Sequence, residues 1–257
     1  MSVHVLTPEY YEQLAALESR HWWWRGVRAI AESLLDRVSA QPGAWRVLDA
    51  GCGTGLTLSW ARRYAREEPI GLDRAVEALH FCRQRGHHRL LQGDAVRLPF
   101  ATGRFDLALS LDVIQHLPRP GGDAAAIGEL ARVLAPGGYL LLRTNSRCGY
   151  PSDSSIDYHR YVLGEIDALL GGARLDRITL SYINLVPAVA LAVARRLGGS
   201  RAPATDPGLP PAPPSVDRSA RARVGSFLLR IEGLYLRAPL PPLPYGHSIV
   251  ALARKPS

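Results

Sequence analysis

Val47-Leu48-Asp49-Ala50-Gly51-Cys52-Gly53-Thr54-Gly55 decides how the rest of the chain is read. An apolar pair closes a short run that reads as a buried parallel strand, three alternating glycines follow, and Leu56 to Arg66 is helix-like. The pattern is strand, tight turn, helix. Glycine takes positive φ and has no Cβ, so backbone amides at the helix start can touch a ligand. Asp49 stands at the carboxyl end of the strand, the edge where open α/β sheets bind ligands. The spacing is G-x-G-x-G, unlike the G-x-G-x-x-G of pyrophosphate binders, and no G-K-[ST] follows to cradle a triphosphate. A smaller, less anionic ligand is expected; taken alone, three glycines could also be only a turn.

Working outward, Ile70-Gly71-Leu72-Asp73 reads as a second strand ending in a carboxylate about 20 residues past the loop, where a ribose needs an acceptor. Asp73 can equally cap a helix over Ala75 to Arg85, and both roles can coexist. Leu90 to Ala95 gives a third strand end with Asp94, and Phe105 to Leu111 is a fourth strand. Leu130 to Thr144 holds a helix end, the turn Pro136-Gly137-Gly138 and a fifth strand. From Trp45 to Asn145 strands and helices alternate, which implies right-handed βαβ units and a parallel sheet covered on both faces.

With these residues in place, Asp49 to Gly55 resembles motif I of the class I S-adenosylmethionine-dependent methyltransferases. Phe105 to Leu111 resembles the family's motif IV, and Leu130 to Thr144 its helix, Pro-Gly-Gly turn and fifth strand. His21-Trp22-Trp23-Trp24-Arg25, just upstream of motif I, is similar to a segment of a bacterial subgroup of type 11 methyltransferases. The resemblance implies an α/β fold: a Rossmann-like, mostly parallel seven-stranded sheet with helices on both faces, an N-terminal helical cap and a helical insertion before the last strand. Residues 1–40 are then the cap, 41–183 the core, 184–246 a helical and Pro-rich insertion, and 247–257 carry the last strand, antiparallel beside the fifth.

It also implies S-adenosyl-L-methionine as cofactor and S-adenosyl-L-homocysteine as product. Asp49, Gly51, Cys52, Gly53 and Gly55 would form the cofactor loop, and Asp73, with Arg74 beside it, would hold the ribose. Asp94 would accept from the adenine amine, and Ala95 and Leu111 would also bind the cofactor. In the N-terminal segment, Arg28 is assigned to the methionine carboxylate and Trp24 to the roof over the sulfonium, which aromatic faces attract.

Thr7 and Pro8 open a helix running to about Arg20, and Trp23, Val27, Ile30, Leu34 and Val38 mark a second over Trp22 to Val38. Three adjacent tryptophans point about 100° apart and cannot all face one core. Packing the cap onto the sheet and roofing the cofactor both remain open for them. After Asn145, Ser146 to Tyr158 reads as a loop, Arg160 to Leu170 as a helix ended by Gly171-Gly172, and Leu175 to Ile183 as a strand. The insertion should hold a helix over Leu185 to Leu197, a linker over Gly198 to Ser215, an amphipathic helix over Val216 to Leu236 and a stiff return over Pro239 to Pro244. Its expected job is substrate cover; the alternative is a surface touching a membrane or a second subunit.

At 257 residues and 47% hydrophobic content the chain can bury a sizeable core. The net charge of +8 rests on arginines, with Lys255 the single lysine, scattered along helices without a nucleic-acid motif, so nucleic acid is not an expected partner. Three cysteines without a C-x-x-C pair suggest a reducing cytoplasm, and neither a signal peptide nor an 18-residue apolar run is read.

In-line methyl transfer chiefly needs alignment, which can lower a barrier by about 7 to 11 kcal/mol. A base is needed only for a hydroxyl or an unactivated carbon. His116, in Asp112-Val113-Ile114-Gln115-His116-Leu117, and His159, on the loop after the fifth strand, are the candidates; His116 also fits a packing role, and Gln115 stands where many relatives carry Glu. No metal is expected, since the histidines and carboxylates show no ligand spacing. The expected partner is a small-molecule acceptor met in biosynthesis, with the protein a monomer or homodimer. A quinone or lipid methyltransferase at a membrane surface, and a non-methylating protein that binds the same cofactor, are the other readings.

Overall fold

Apolar runs become strands and periodic stretches become helices in a computed structural model that describes residues 7–148, 159–186, 188–189 and 220–257. Two helices come first, α1 (Pro8–Glu18) and α2 (Trp22–Val38). Thr7 caps α1 by accepting from the Tyr10 amide (3.3 Å), and His21 caps α2 by accepting from Trp23 (3.2 Å). The alternating unit follows as β1 (Val47–Ala50), α3 (Leu56–Ala61), β2 (Ile70–Asp73), α4 (Val76–Gln84), β3 (Leu90–Gln92), β4 (Phe105–Leu111), α5 (Gly122–Val133) and β5 (Leu134–Asn145). Then come α6 (Leu163–Gly172), β6 (Asp176–Ile183), α7 (Ala220–Arg237) and β7 (Ser248–Arg254).

One seven-stranded sheet has the order β3-β2-β1-β4-β5-β7-β6, parallel except for β7, which runs antiparallel to both β5 and β6. The expected α/β fold is the one found. Strand order reverses at β1, so the carboxyl ends of β1 and β4 open a crevice, the usual ligand position in such sheets. Alternation along the strands fills both faces. Leu48, Ala108, Leu140 and Leu142 meet α5 and α6 on one side, while Val47, Leu107, Leu109 and Leu141 meet α2 and α7 on the other.

Helix α7 lies alongside α2 and runs parallel to it, because glycines let the backbones approach. Gly225 faces the Trp22 ring, Gly26 faces Leu229, and Gly233 faces Ala29 and Ile30; a Cβ on Gly225 would stand 2.7 Å from the indole. Ser33 Oγ donates to the Gly233 carbonyl at 2.7 Å. Glu232 of α7 accepts the backbone amides of Asn184 (2.7 Å) and Leu185 (3.0 Å), so the chain leaving β6 starts on this helix.

Some boundaries differ from the sequence reading. The helix after the glycine loop stops at Ala61, and α6 starts at Leu163 because residues before it run along β5, where Tyr161 bridges Ser146. Pro136-Gly137-Gly138 lies inside β5 rather than between helix and strand, with Gly137 at φ 78° and a register shift against β4, as a bulge requires. The linker expected over Gly198 to Ser215, most of the helix expected over Leu185 to Leu197, most of the loop after Ser146 and the start of the helix expected from Val216 lie outside the described residues. Among the described residues no helix is long and apolar enough to cross a membrane.

Candidate active site

The glycine loop is held open by its backbone. Gly51, Gly53 and Gly55 have φ of 85°, 52° and 87°, in the left-handed region that favours glycine. The amides of Gly51 and Cys52 donate to the Leu72 carbonyl (2.7 and 3.0 Å), tying the loop to β2. Gly53 donates to Asp73 Oδ2 (2.9 Å), and Ala75 donates to Oδ1 (3.0 Å), so Asp73 braces the loop and fixes the residue before α4. The cap expected from its side chain is not formed: Ala75 is the N-cap and has no side-chain cap bond. A Cβ at Gly53 would meet nothing within 4 Å.

Above the loop is a cavity. Its floor is Gly51 to Thr54 with Asp73 and Arg74, and one end is Gly93, Asp94 and Ala95. Helices α1 and α2 roof it with Tyr10, Tyr11, Trp23, Trp24, Val27 and Arg28. The far end is Leu111, Asp112 and Val113 after β4, Gln115 and His116 in the following turn, and Arg143 and Asn145 on β5.

The three tryptophans divide the work. Trp22 packs against Gly225 of α7, whereas Trp23 and Trp24 face the cavity with rings edge-on at 5.5 Å. Arg28 is half-exposed on the wall, paired with Glu32 at 3.0 Å. Asp94 Oδ1 accepts from the Val96 amide (3.1 Å). Cys52 Sγ rests 3.8 Å from Cys82 Sγ, with both thiols free.

Asp49 and Gly55, also expected in the site, stand behind the loop rather than on the cavity wall. Gly55 abuts Cys82 and His87. Asp49 is 1% exposed, and its Oδ2 has no hydrogen-bond partner among the described residues. Burial, reinforced by the charge of Asp73, pushes its pKa up to about 8. Burial also raises Asp73, against the pull of the Ala75 and Gly53 amides.

The two histidines part company. His116 lines the cavity, where burial brings its pKa down to about 4 against the opposing effect of Asp112, so the ring is neutral at pH 7. His159, expected beside the substrate, is not on the wall. The chain returning after β5 pairs with Ser146, which places His159 behind Gln115: its amide donates to the Gln115 carbonyl (3.1 Å) and its ring stacks edge-on to Tyr161 at 4.3 Å.

Several wall residues escaped the sequence reading. Arg143 is buried at the cavity end, donates through Nε to Asp112 Oδ1 (3.1 Å) and through Nη2 to Oδ2, and lies over the Trp23 ring at 5.3 Å. Asp112 has φ 60°, rare for a residue with a Cβ. The hint was a charge closing Leu140-Leu141-Leu142-Arg143, an otherwise apolar strand. Glu18, buried at the end of α1, accepts from Thr54 Oγ1 and from Arg85 Nη2 (2.5 Å), fastening α1 to the glycine loop and to α4. Nothing local in the sequence marks Glu18, Tyr10 or Tyr11 for this place.

Fold and cavity define an α/β protein built to hold a nucleoside-like ligand at the switch point of its sheet. Open backbone at Gly53, carboxylates at Asp73 and Asp94, an aromatic roof and the Arg28 guanidinium line this one cavity.

A family model described as a methyltransferase domain matches residues 48–142. The ubiquinone/menaquinone biosynthesis C-methyltransferase UbiE of Syntrophotalea carbinolica is 30% identical over 177 residues, covering 66% of this chain and 70% of that protein. Among solved structures, the methyltransferase complexed with the Trm112 activator of Haloferax volcanii superposes with a TM-score of 0.60 at 19% identity, covering 97% of this chain and 95% of that one. Geranyl diphosphate C-methyltransferase of Streptomyces coelicolor, solved with S-adenosyl-L-homocysteine, gives 0.56 at 16%, covering 88% and 77%. The chain belongs to the class I S-adenosylmethionine-dependent methyltransferases, and S-adenosylmethionine is its cofactor. It spans 23% to 60% of the length of five other curated relatives.

Proposed function

We propose that the protein methylates a small, neutral, apolar or aromatic acceptor, as an enzyme of biosynthesis. One observation carries this reading: a single cavity runs from the glycine loop and Asp94 to His116, Gln115 and Asn145 at the ends of β4 and β5, with Trp23 over it. S-adenosylmethionine, when bound, supplies an electrophilic methyl group; the chain's own residues orient, screen and hydrogen-bond. Residues 1–40 act as one cap and 184–246 as a second cover over a core formed by 41–183 and 247–257.

In this reading Asp73 takes the ribose hydroxyls with Arg74 beside it, Asp94 takes the adenine amine beside Ala95, and Leu111 touches the cofactor from the end of β4. Gly51, Cys52, Gly53 and Gly55 shape the loop, Asp49 supplies negative charge from behind it, Arg28 takes the carboxylate and Trp24 covers the sulfonium. Arg143 is already matched by Asp112, so the acceptor end gains no net charge from this pair. A ring with a pKa near 4 is a weak base, which favours His116 as a hydrogen-bonding group and makes alignment the larger contribution to rate. The experiment is turnover of isotopically methyl-labelled S-adenosylmethionine against a metabolite panel, read as release of S-adenosylhomocysteine. Labelled neutral products support the proposal; binding of the cofactor without turnover of any acceptor counts against it.

A further inference from the structure

Helix α7 turns an apolar stripe to solvent. Val224, Phe227, Ile231 and Leu234 are 56%, 62%, 46% and 63% exposed, and their spacing puts them on one side of the helix. The opposite side, through Leu229, Gly233 and Leu236, is buried on α2. Arg223, Arg230 and Arg237 are exposed at seven-residue intervals along one flank of the stripe. The helix's single acidic residue, Glu232, is buried and bound to the amides of Asn184 and Leu185. Val186 and Val189, in the segment that Glu232 holds, are exposed as well.

Charge decides between occupants. A second copy docked antiparallel on this stripe, by a two-fold axis perpendicular to α7, would set Arg230 against Arg230 and Arg223 toward Arg237, with no acidic residue of α7 exposed to offset them. Residues 190–219, which end where α7 begins, carry four arginines and only Asp206 and Asp217 as acids, so they complement the flank no better. A row of large apolar side chains edged by arginines instead suits the headgroup boundary of an anionic bilayer. We propose that α7 is a peripheral membrane-docking helix, with Phe227 and Leu234 seated at the acyl boundary and the three arginines on lipid phosphates. Helix α2 packs on the opposite side of α7, so a docked α7 lies between the lipid and α2. The proposal goes beyond the methyl-transfer reading and does not depend on it.

The test is co-sedimentation of the full chain with phosphatidylcholine vesicles, with and without about 30% phosphatidylglycerol. Binding to the anionic vesicles is expected, released on raising salt from about 0.1 M to about 0.5 M. Arg223→Gln/Arg230→Gln/Arg237→Gln should weaken partitioning about fivefold per arginine, roughly a hundredfold in all, and Phe227→Ser/Leu234→Ser should weaken it about tenfold or more. Both variants should bind S-adenosylhomocysteine like the wild type, since none of the five residues lines the cavity. Equal binding to neutral and anionic vesicles overturns the proposal. So does a wild type that ignores both, whether a dimer dissolved by Phe227→Ser hides the stripe or removal of residues 190–219 is needed to uncover it.

Discussion

Replacing Asp49 with asparagine removes a carboxyl group that the fold holds against its tendency to ionise. Asp49 lies at the carboxyl end of β1, and burial together with the Asp73 charge moves its pKa from 3.8 to about 8. Between these values the folded chain keeps a proton that the unfolded chain has lost. Stability therefore falls as pH rises through that window and levels off above about pH 8. At about 1.4 kcal/mol per unit, the full shift sets a ceiling of roughly 6 kcal/mol, which relaxation around the carboxylate reduces. Asparagine has the same shape and does not titrate. Urea unfolding should show the two proteins equally stable near the acid end of the window and Asp49→Asn the more stable, by a few kcal/mol, at its alkaline end. Glu18, raised by burial, and His116, lowered by it, contribute to both proteins and cancel in the difference. Cofactor affinity should move the other way. Wild-type affinity for the cationic cofactor should rise with pH toward about 8 with uptake of a proton by buffer, and the variant should lose that dependence along with about tenfold or more in affinity. Stability curves that run parallel in the two proteins, or a wild type that is the more stable at the alkaline end, refute the reasoning.

Arg28→Ala should weaken S-adenosylmethionine binding by about 10- to 100-fold, as loss of a charge-assisted hydrogen bond does. Its half-exposed pair with Glu32 should leave stability within about 1 kcal/mol of wild type, and unchanged affinity in calorimetry removes Arg28 from the carboxylate. Gly51→Ala places a Cβ 2.2 Å from Val113 Cγ2 at φ 85°. Overpacking and a left-handed conformation together should cost about 2 to 4 kcal/mol in urea unfolding, and an undamaged variant contradicts the loop geometry. Glu18→Ala frees α1 from Thr54 and Arg85. Amide exchange over Pro8–Glu18 should quicken about tenfold or more while the central strands keep their protection; exchange unchanged in α1 shows that Glu18 is not its fastening.

The sheet and the glycine-loop end of the cavity were legible because each rests on a short pattern. Gly51 to Gly55, Asp73 and Asp94 sit at consecutive strand ends, and in a parallel sheet strand ends converge on one edge. What stayed hidden depends on contacts between distant parts of the chain. Glu18 meets Thr54 across 36 residues, Ser33 meets Gly233 across 200, and Asp112 meets Arg143 across 31. Each partner looks like an ordinary surface charge or small residue in its own neighbourhood. The tryptophan run shows the limit clearly: helical spacing established that Trp22, Trp23 and Trp24 must diverge, but only the position of α7 sends Trp22 outward and leaves the other two over the cavity. The place of His159 beside Gln115 and Tyr161 was not legible for a related reason, since strand periodicity gives the direction in which β5 ends and not that Tyr161 pairs with Ser146.

Unfavourable features collect around this cavity. Asp49 and Asp73 are raised by burial, the Tyr11 phenol is pushed up by burial and by the Asp73 charge beside it, and Asp112 holds a left-handed backbone. Such costs persist where the surrounding structure fixes them, and here the sheet core and the Glu18 fastening do so. A cation near the loop would favour the ionised forms of Asp49 and Asp73, so binding should be linked both to protons and to folding. At a ligand concentration about 100 times Kd the gain from mass action alone is about 2.7 kcal/mol, on the same scale as the ionisation cost it offsets. At the other end, Arg143 is neutralised by Asp112 and His116 is uncharged at pH 7. In the reading proposed above, the charge changes of binding therefore belong to the cofactor end, and an acceptor at the far end would be selected by shape, aromatic contact with Trp23 and hydrogen bonds from neutral groups.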